Sequence, residues 1–468
     1  MPGWRHDATQ RPDVFFTADN GKDYLYPVAY DPYTWLRMAR NQVDTGSPCD
    51  EVRDGQCRDN LAYAPVGTEN RYADSLHVDA LAWLYRLQRW FDPGYPLEGT
   101  ALWLTVLVGM LGVPPTFWIA ARFGGPLGGF AASLLVGLDD YGLMRSVRAD
   151  TDVWNIVVPI WVMWAVIESA SATNQRRRLS YALAASLLVV LQAHIWSGYL
   201  VTYFVASAAF LAVACLHGCA AALRRWWPRL QRRRFPTVHV KEAALAAVAF
   251  FVGVEVASVV AGDGSVLARV LPRLAAEVAP AAVPSAGAEG AQPLFPENFS
   301  LVTEVGSMNF SSVVALSGGA TMFQVAWAAL LVLAFGHGRL LSAVPGLEIG
   351  LVAWNLVDGA ELERLSVVAL LAVPVGIAAI AAVVSSRTHL SEATKLVALA
   401  PWFLGTLYVA LSTRRFYILF APALGIVLGA GIGWLHRLVA GWVEAWTQGT
   451  VETRARDGRA AVHASAFA

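Results

Sequence analysis

The chain has 468 residues, of which 56% are hydrophobic and only 15% charged, and its 35 basic side chains balance its 35 acidic ones. A soluble domain carries about 25% charged residues, so this chain cannot clothe a large water-exposed globule, and zero net charge gives no pull on a nucleic acid. Its apolar runs, about 16–24 residues long, suit spanning helices rather than the ~10-residue strands of a barrel.

The expectation is an all-α polytopic membrane protein of about 10–11 spanning helices with long external loops, since helices pair their own backbone groups in lipid. In chain order, residues 1–100 are polar, aromatic and proline-punctuated, and no cleavable leader is expected among them. They read as an external segment with short helices. Within it, Pro32 suits the first turn of a helix and Asp31 its N-cap. Cys49 and Cys57 would pair if the segment faces an oxidising compartment, with two free thiols as the alternative. Apolar runs follow at 101–120, 126–141, 153–170, 180–193, 199–216 and 243–260. Residues 263–311, rich in Ala, Pro, Gly and Ser through their first half, read as a long external loop. Further runs lie at 312–335, 365–384, 393–411 and 416–435, and 437–468 reads as a disordered tail. The run 341–357 is interrupted by Glu348 and Asn355, and whether it crosses the membrane decides on which side Arg415 falls.

Basic residues in short loops mark the cytoplasmic side. Arg176, Arg177 and Arg178 form one such loop. Arg224, Arg225, Arg229, Arg232, Arg233 and Arg234 form a stronger one. Alternation of the spans then puts residues 1–100, 143–152 and 263–311 outside.

Three acidic features fall on that external side. Asp31 begins the run Asp31-Pro32-Tyr33-Thr34-Trp35-Leu36-Arg37. Asp150 and Asp152 stand two residues apart just before an apolar helix that contains Pro159. Close like charges favour a cation beside them, and oxygen ligands suit Mg²⁺ or Mn²⁺. Capping and the helix dipole are the plainer reading of the same positions. Glu304 follows the long loop. Each acid sits at the mouth of a helix, and together Asp31, Asp150, Asp152 and Glu304 can be read as ligands of one divalent ion.

This order of motifs resembles the catalytic subunit of oligosaccharyltransferase: Asp31-Pro32-Tyr33, then Asp150-Thr151-Asp152, then Leu301-Val302-Thr303-Glu304 after a long loop. The segments His194–Tyr199 and Arg414–Pro422, and Ser75-Leu76-His77 ahead of Trp83, add to the likeness. The resemblance implies a GT-C-type bundle and transfer of a glycan from a polyprenyl-phosphate-linked donor to an Asn side chain of an acceptor protein or peptide. It implies a metal-dependent, inverting reaction at the external face of a multi-pass protein in the bilayer (the cytoplasmic membrane if the source is prokaryotic). Asp31 and Glu304 would act on the acceptor amide, Arg145 or Arg148 on the donor phosphates, and Arg415 on the acceptor peptide. The chain has no Trp-Trp-Asp run and ends about 30 residues after its last span. The expectation is therefore a truncated product, a split enzyme whose missing C-terminal domain is a separate subunit, or a divergent relative. A GT-C transferase with a lipid or sugar acceptor, and a transporter or non-enzymatic subunit, are the alternatives.

Overall fold

The structure is a computed structural model that describes residues 15–27, 31–61, 66–70, 72–139, 148–196, 198–226, 240–271, 308–333, 364–385 and 387–465. Arg145, Glu304 and the run 341–357 lie outside the described residues.

The first external segment holds two antiparallel ribbons and two helices. Strands β1 (Phe15–Thr17) and β2 (Asp23–Leu25) form one ribbon. Strands β3 (Glu51–Arg53), β4 (Gln56–Asp59) and β5 (Thr68–Glu69) form the other. The β3–β4 turn is Asp54-Gly55, both at positive φ (53° and 78°), the conformation that two-residue hairpins demand. Cys49 and Cys57 are disulfide-bonded across it. Helix α1 (Asp31–Asp44) buries Pro32, Trp35, Leu36, Met38 and Ala39. On its other side Arg37 holds the hairpin through Asp50 and through Asp59 at 2.7 Å. Helix α2 (Leu76–Phe91) buries His77, Val78, Leu81, Ala82 and Leu84, spaced three and four apart as one helix face requires. Both helices close over the outer parts of α3 (Leu97–Leu111) and α5 (Asp152–Ser171) in a small apolar core that includes Leu97, Ala101, Leu104, Val153 and Val157.

The remaining helices are α3 (Leu97–Leu111), α4 (Val113–Gly137), α5 (Asp152–Ser171), α6 (Gln175–Ala193), α7 (Tyr199–Trp226), α8 (Val240–Val260), α9 (Phe310–Leu316), α10 (Ala320–Leu333), α11 (Arg364–Ser385), α12 (Arg387–Ser412) and α13 (Tyr417–Ser465). Among the described residues six stretches are long and apolar enough to cross a bilayer, or seven if α9 and α10 count as one. Within the described residues the expected apolar runs fall on helices, but 180–193 on α6 and 365–384 on α11 are not among these stretches, so fewer than the expected 10–11 spans qualify. Two differ in form. The run 312–335 is not one straight span: α9 and α10 meet at 92°, at a break where Gly318 and Gly319 both take positive φ. The tail expected to be disordered is instead a helical continuation of α13 to Ser465.

The stretch Leu97–Gly137 reverses direction within α4. Gly125 has φ 70° and ψ −174°, a conformation essentially closed to any residue with a side chain. A Cβ on Gly129 would lie 2.8 Å from the Phe117 carbonyl, although these residues are about 18 Å apart along a continuous helix. The two arms of α4 therefore lie antiparallel, with Pro126 opening the second.

That second arm packs backbone-to-backbone on α13. Gly425 faces Val136, Gly429 faces Ala132, and Gly433 faces Gly128 and the Gly124 carbonyl. The four-residue spacing on each helix keeps small residues along one stripe. In lipid, where chain burial gives little drive, such close approach is what holds helices together. A Cβ added at Gly429 would overlap the Ala132 backbone, whereas Gly441 on the same helix faces open space. Gly429→Leu is expected to destabilise the folded protein by ~1–3 kcal/mol. Gly441→Ala should instead be tolerated or stabilise slightly, by up to ~1 kcal/mol, because alanine suits an exposed helix interior better than glycine, as read from thermal unfolding in detergent.

Candidate active site

Sequence places Asp150 and Asp152 at the start of α5, and packing determines their surroundings. Both are buried. A buried carboxylate must find donors or cations, and each finds a different one. Asp150 Oδ1 accepts the Trp35 Nε1–H from α1 at 2.8 Å, the Thr151 backbone N–H at 2.6 Å and the Thr151 hydroxyl at 3.3 Å. All three fall on Oδ1. The residue just before, Ala149, has φ 58°, a left-handed conformation that costs an L residue ~1–2 kcal/mol. This kink turns Asp150 inward. Asp152 lies 3.4 Å from Nη2 of Arg415, which sits in the 3₁₀ turn Arg414–Phe416 between α12 and α13.

Asp31 opens α1 and is exposed; Trp35 follows one turn later on the same helix. The Trp35–Asp150 bond thus sets the Asp31 end of α1 beside the Asp150–Asp152 mouth. Arg148 occupies the turn two residues ahead of Asp150. Met308, four residues after Glu304, donates its backbone N–H to the Leu411 carbonyl at 3.2 Å, four residues before Arg415. The segment leaving the long loop, the Arg415 turn and the two aspartates therefore share one end of the bundle. This places Arg415 with the acids whatever course 341–357 takes.

Beneath the acids, His77 is fully buried on α2. Its Nδ1 accepts the Trp154 Nε1–H from α5 at 3.1 Å, and its ring meets Trp35 edge-on at 5.5 Å. Burial lowers the His77 pKa to about 4, so the ring is neutral near pH 7. With Nδ1 accepting, the proton belongs on Nε2, which has no partner among the described residues. Asn155, one turn into α5, is also buried, and neither its Oδ1 nor its Nδ2 has a partner among them. Trp35, Trp154 and Asn155 were missed as site residues in the sequence. Their one signal was position, since each lies two to four residues from a candidate acid.

The donor chemistry suits a hard divalent cation, because carboxylate oxygens predominate and Asp150 Oδ2 accepts no hydrogen bond among the described residues. Among those residues, however, no three His, Cys, Asp or Glu side chains converge closely enough to hold an ion. Asp152, expected as a metal ligand, has its Oδ1 facing Arg415. Arg415, expected to face the acceptor, has its Nη2 on Asp152 at the same mouth.

Comparison with known proteins adds the following. The family described as "Oligosaccharyl transferase STT3, N-terminal" matches residues 6–451. A dolichyl-phosphooligosaccharide-protein glycotransferase of Methanococcus voltae is 28% identical over 211 residues, covering 43% of this chain and 22% of that protein. One from Methanocaldococcus jannaschii is 26% identical over 162 residues, covering 33% and 17%. The matched region thus spans about a fifth of the length of these curated relatives. Archaeal oligosaccharyltransferase AglB from Archaeoglobus fulgidus, solved with an inhibitory peptide and a dolichol-phosphate, superposes with TM-score 0.47 at 15% identity, covering 87% of this chain and 46% of that one. ArnT from Cupriavidus metallidurans, bound to undecaprenyl phosphate, gives 0.37 at 15% identity, covering 90% and 60%.

Because folding holds His77 neutral while the unfolded ring titrates near 6.5, the native state binds fewer protons between pH ~6.5 and ~4. Stability attributable to His77 is fully present above that window and is lost as pH falls through it. In His77→Asn the amide oxygen replaces Nδ1 as acceptor and cannot be protonated. Unfolding midpoints measured from pH 7 to pH 4.5 should fall less steeply for this variant than for the wild type.

Proposed function

The chain belongs to the oligosaccharyl transferase STT3 family, and on that premise we propose that it transfers a glycan from a polyprenyl-phosphate-linked donor to the side-chain nitrogen of an acceptor asparagine. The observation that carries this reading is the single mouth at which Asp150, Asp152, Arg415 and the N-terminus of the Asp31 helix meet. It is a multi-pass bundle, for which we infer the GT-C arrangement.

In the proposed reaction the acceptor nitrogen forms a bond to the anomeric carbon as the bond to the phosphate oxygen breaks. The phosphate leaves with the electron pair, and configuration at the sugar inverts. An amide nitrogen is a weak nucleophile because its lone pair is delocalised. Carboxylates at Asp31 and Glu304 that accept hydrogen bonds from the NH₂ would weaken that delocalisation and receive its proton. Trp35 holds Asp150 in place, and Asp152 orients Arg415 at the mouth. Arg415, Arg148 and Arg145 are the cations assigned to the donor phosphates and the acceptor. Asp31, Asp150, Asp152 and Glu304 are the residues that would hold Mg²⁺ or Mn²⁺, and such an ion would help neutralise charge on the departing phosphate. The site would face outward, opposite the Arg-rich loops.

Since the match reaches only about a fifth of the curated relatives, recognition of the acceptor sequence is assigned to elements outside the matched region, whether carried by the same polypeptide or by a separate subunit.

The test is transfer from a lipid-linked sugar to a sequon peptide by membranes containing the full chain, with and without Mn²⁺. Chelation and Asp150→Ala are each expected to cut the rate roughly 100-fold or more, the scale of several kcal/mol of lost transition-state stabilisation. An unchanged rate in Asp150→Ala would remove the assigned centre. Transfer to a lipid but not to the peptide would keep the chemistry and replace the acceptor.

A further inference from the structure

At the end of the bundle opposite the acids lies a groove of about 370 Å³, lined by Trp118, Ala121 and Arg122 of α4, Trp164 and Glu168 of α5, and Tyr181 of α6. Its depth follows from helix geometry. Glu168 stands sixteen residues beyond Asp152 on α5, about 24 Å along the axis. A bilayer core is about 30 Å thick, so acids at one boundary put this groove near the other. It opens outward, where Trp118 is exposed together with Leu111 and Val113 one to two turns before it. At that depth and on that face the surroundings are lipid.

The chemistry of the groove is specific. Arg122 and Glu168 form a two-bonded pair, Nε donating to Oε1 at 2.8 Å and Nη2 to Oε2. The walls are aromatic: Trp118 and Trp164 rings are 5.5 Å apart, and Tyr181 meets Trp164 edge-on at 5.5 Å. Trp161 backs both tryptophans, and its N–H is taken by the Leu111 carbonyl at 2.9 Å. A lone anion on Arg122 would be opposed by Glu168, and a lone cation on Glu168 by Arg122. A ligand carrying both charges a few ångströms apart meets both, and the indole faces favour its ammonium end.

We propose that this groove binds the headgroup of a zwitterionic phospholipid in the leaflet opposite the acidic mouth, with its phosphate on Arg122 and its ammonium against Glu168, Trp118 and Trp164. The site is separate from the transfer chemistry and stands or falls without it.

The test uses the full chain, purified in detergent, stripped of lipid and titrated with phosphatidylethanolamine or phosphatidylglycerol of identical acyl chains. Bound lipid is counted by native mass spectrometry, and the unfolding midpoint is followed in parallel. The wild type is expected to retain phosphatidylethanolamine about fivefold better than phosphatidylglycerol, the weight of one exposed cation–π contact. It should also unfold at higher temperature with it. Arg122→Gln combined with Glu168→Gln, which can keep a neutral hydrogen-bonded pair, should erase the preference, as should Trp118→Leu, which leaves the ion pair intact. Soluble phosphoethanolamine, lacking acyl chains, should cause no shift. Equal retention of the two lipids by the wild type would show mere annular contact and overturn the proposal. So would a preference that survives in Trp118→Leu, or an equal response to the free headgroup.

Discussion

Two carboxylates buried at the mouth of a membrane helix impose the main demand on this structure. Neither water nor lipid can compensate them there, so the protein must. Asp150 is met by Trp35, which draws an external helix down onto the bundle, and Asp152 is met by Arg415, which brings in the turn between α12 and α13. One contact spans 115 residues and the other 263. The two aspartates thus join the external segment, the early helices and the late helices at a single place. Arg37, on the other side of α1, extends the linkage to the disulfide-closed hairpin.

A second demand comes from the bilayer. Apolar side chains gain little by leaving lipid for protein, so contact between helices must come from fit. The stripe of Gly425, Gly429 and Gly433 against Gly128, Ala132 and Val136 provides that fit by letting two backbones touch. It also fixes the base from which the Arg415 turn projects, since α13 begins at Tyr417, two residues beyond Arg415.

Much of this was legible in the sequence and some was not, for physical reasons. Hydropathy found the described spans because lipid enforces long apolar runs, and the Asp150–Asp152 pair was conspicuous because charge before such a run is costly. The partners of those acids were not legible, since Trp35 and Arg415 are brought to them only by tertiary folding. The break at Gly318 and Gly319 was averaged away by the apolar residues on either side, although two adjacent glycines marked it. His77 appeared only as part of a likeness between motifs. Its burial between Trp35 and Trp154 depends on how α2 is rolled, which one sequence does not reveal.

The reversal at Gly125 has a bearing on how the chain is oriented in its membrane. The apex, Phe123 to Leu127, contains no ionisable side chain, and the nearest, Arg122, is already matched by Glu168. A bend this short leaves no connecting loop to carry the cationic tether that ordinarily decides which way a pair of helices points. The cation at this bend comes instead from α13, where Arg437 donates through Nη2 to the Phe123 carbonyl and lies against Gly125. The charge at the turn of this hairpin is thus lent by a helix some three hundred residues further along the chain, so the two arms and α13 are fastened at the bend as well as along the glycine stripe.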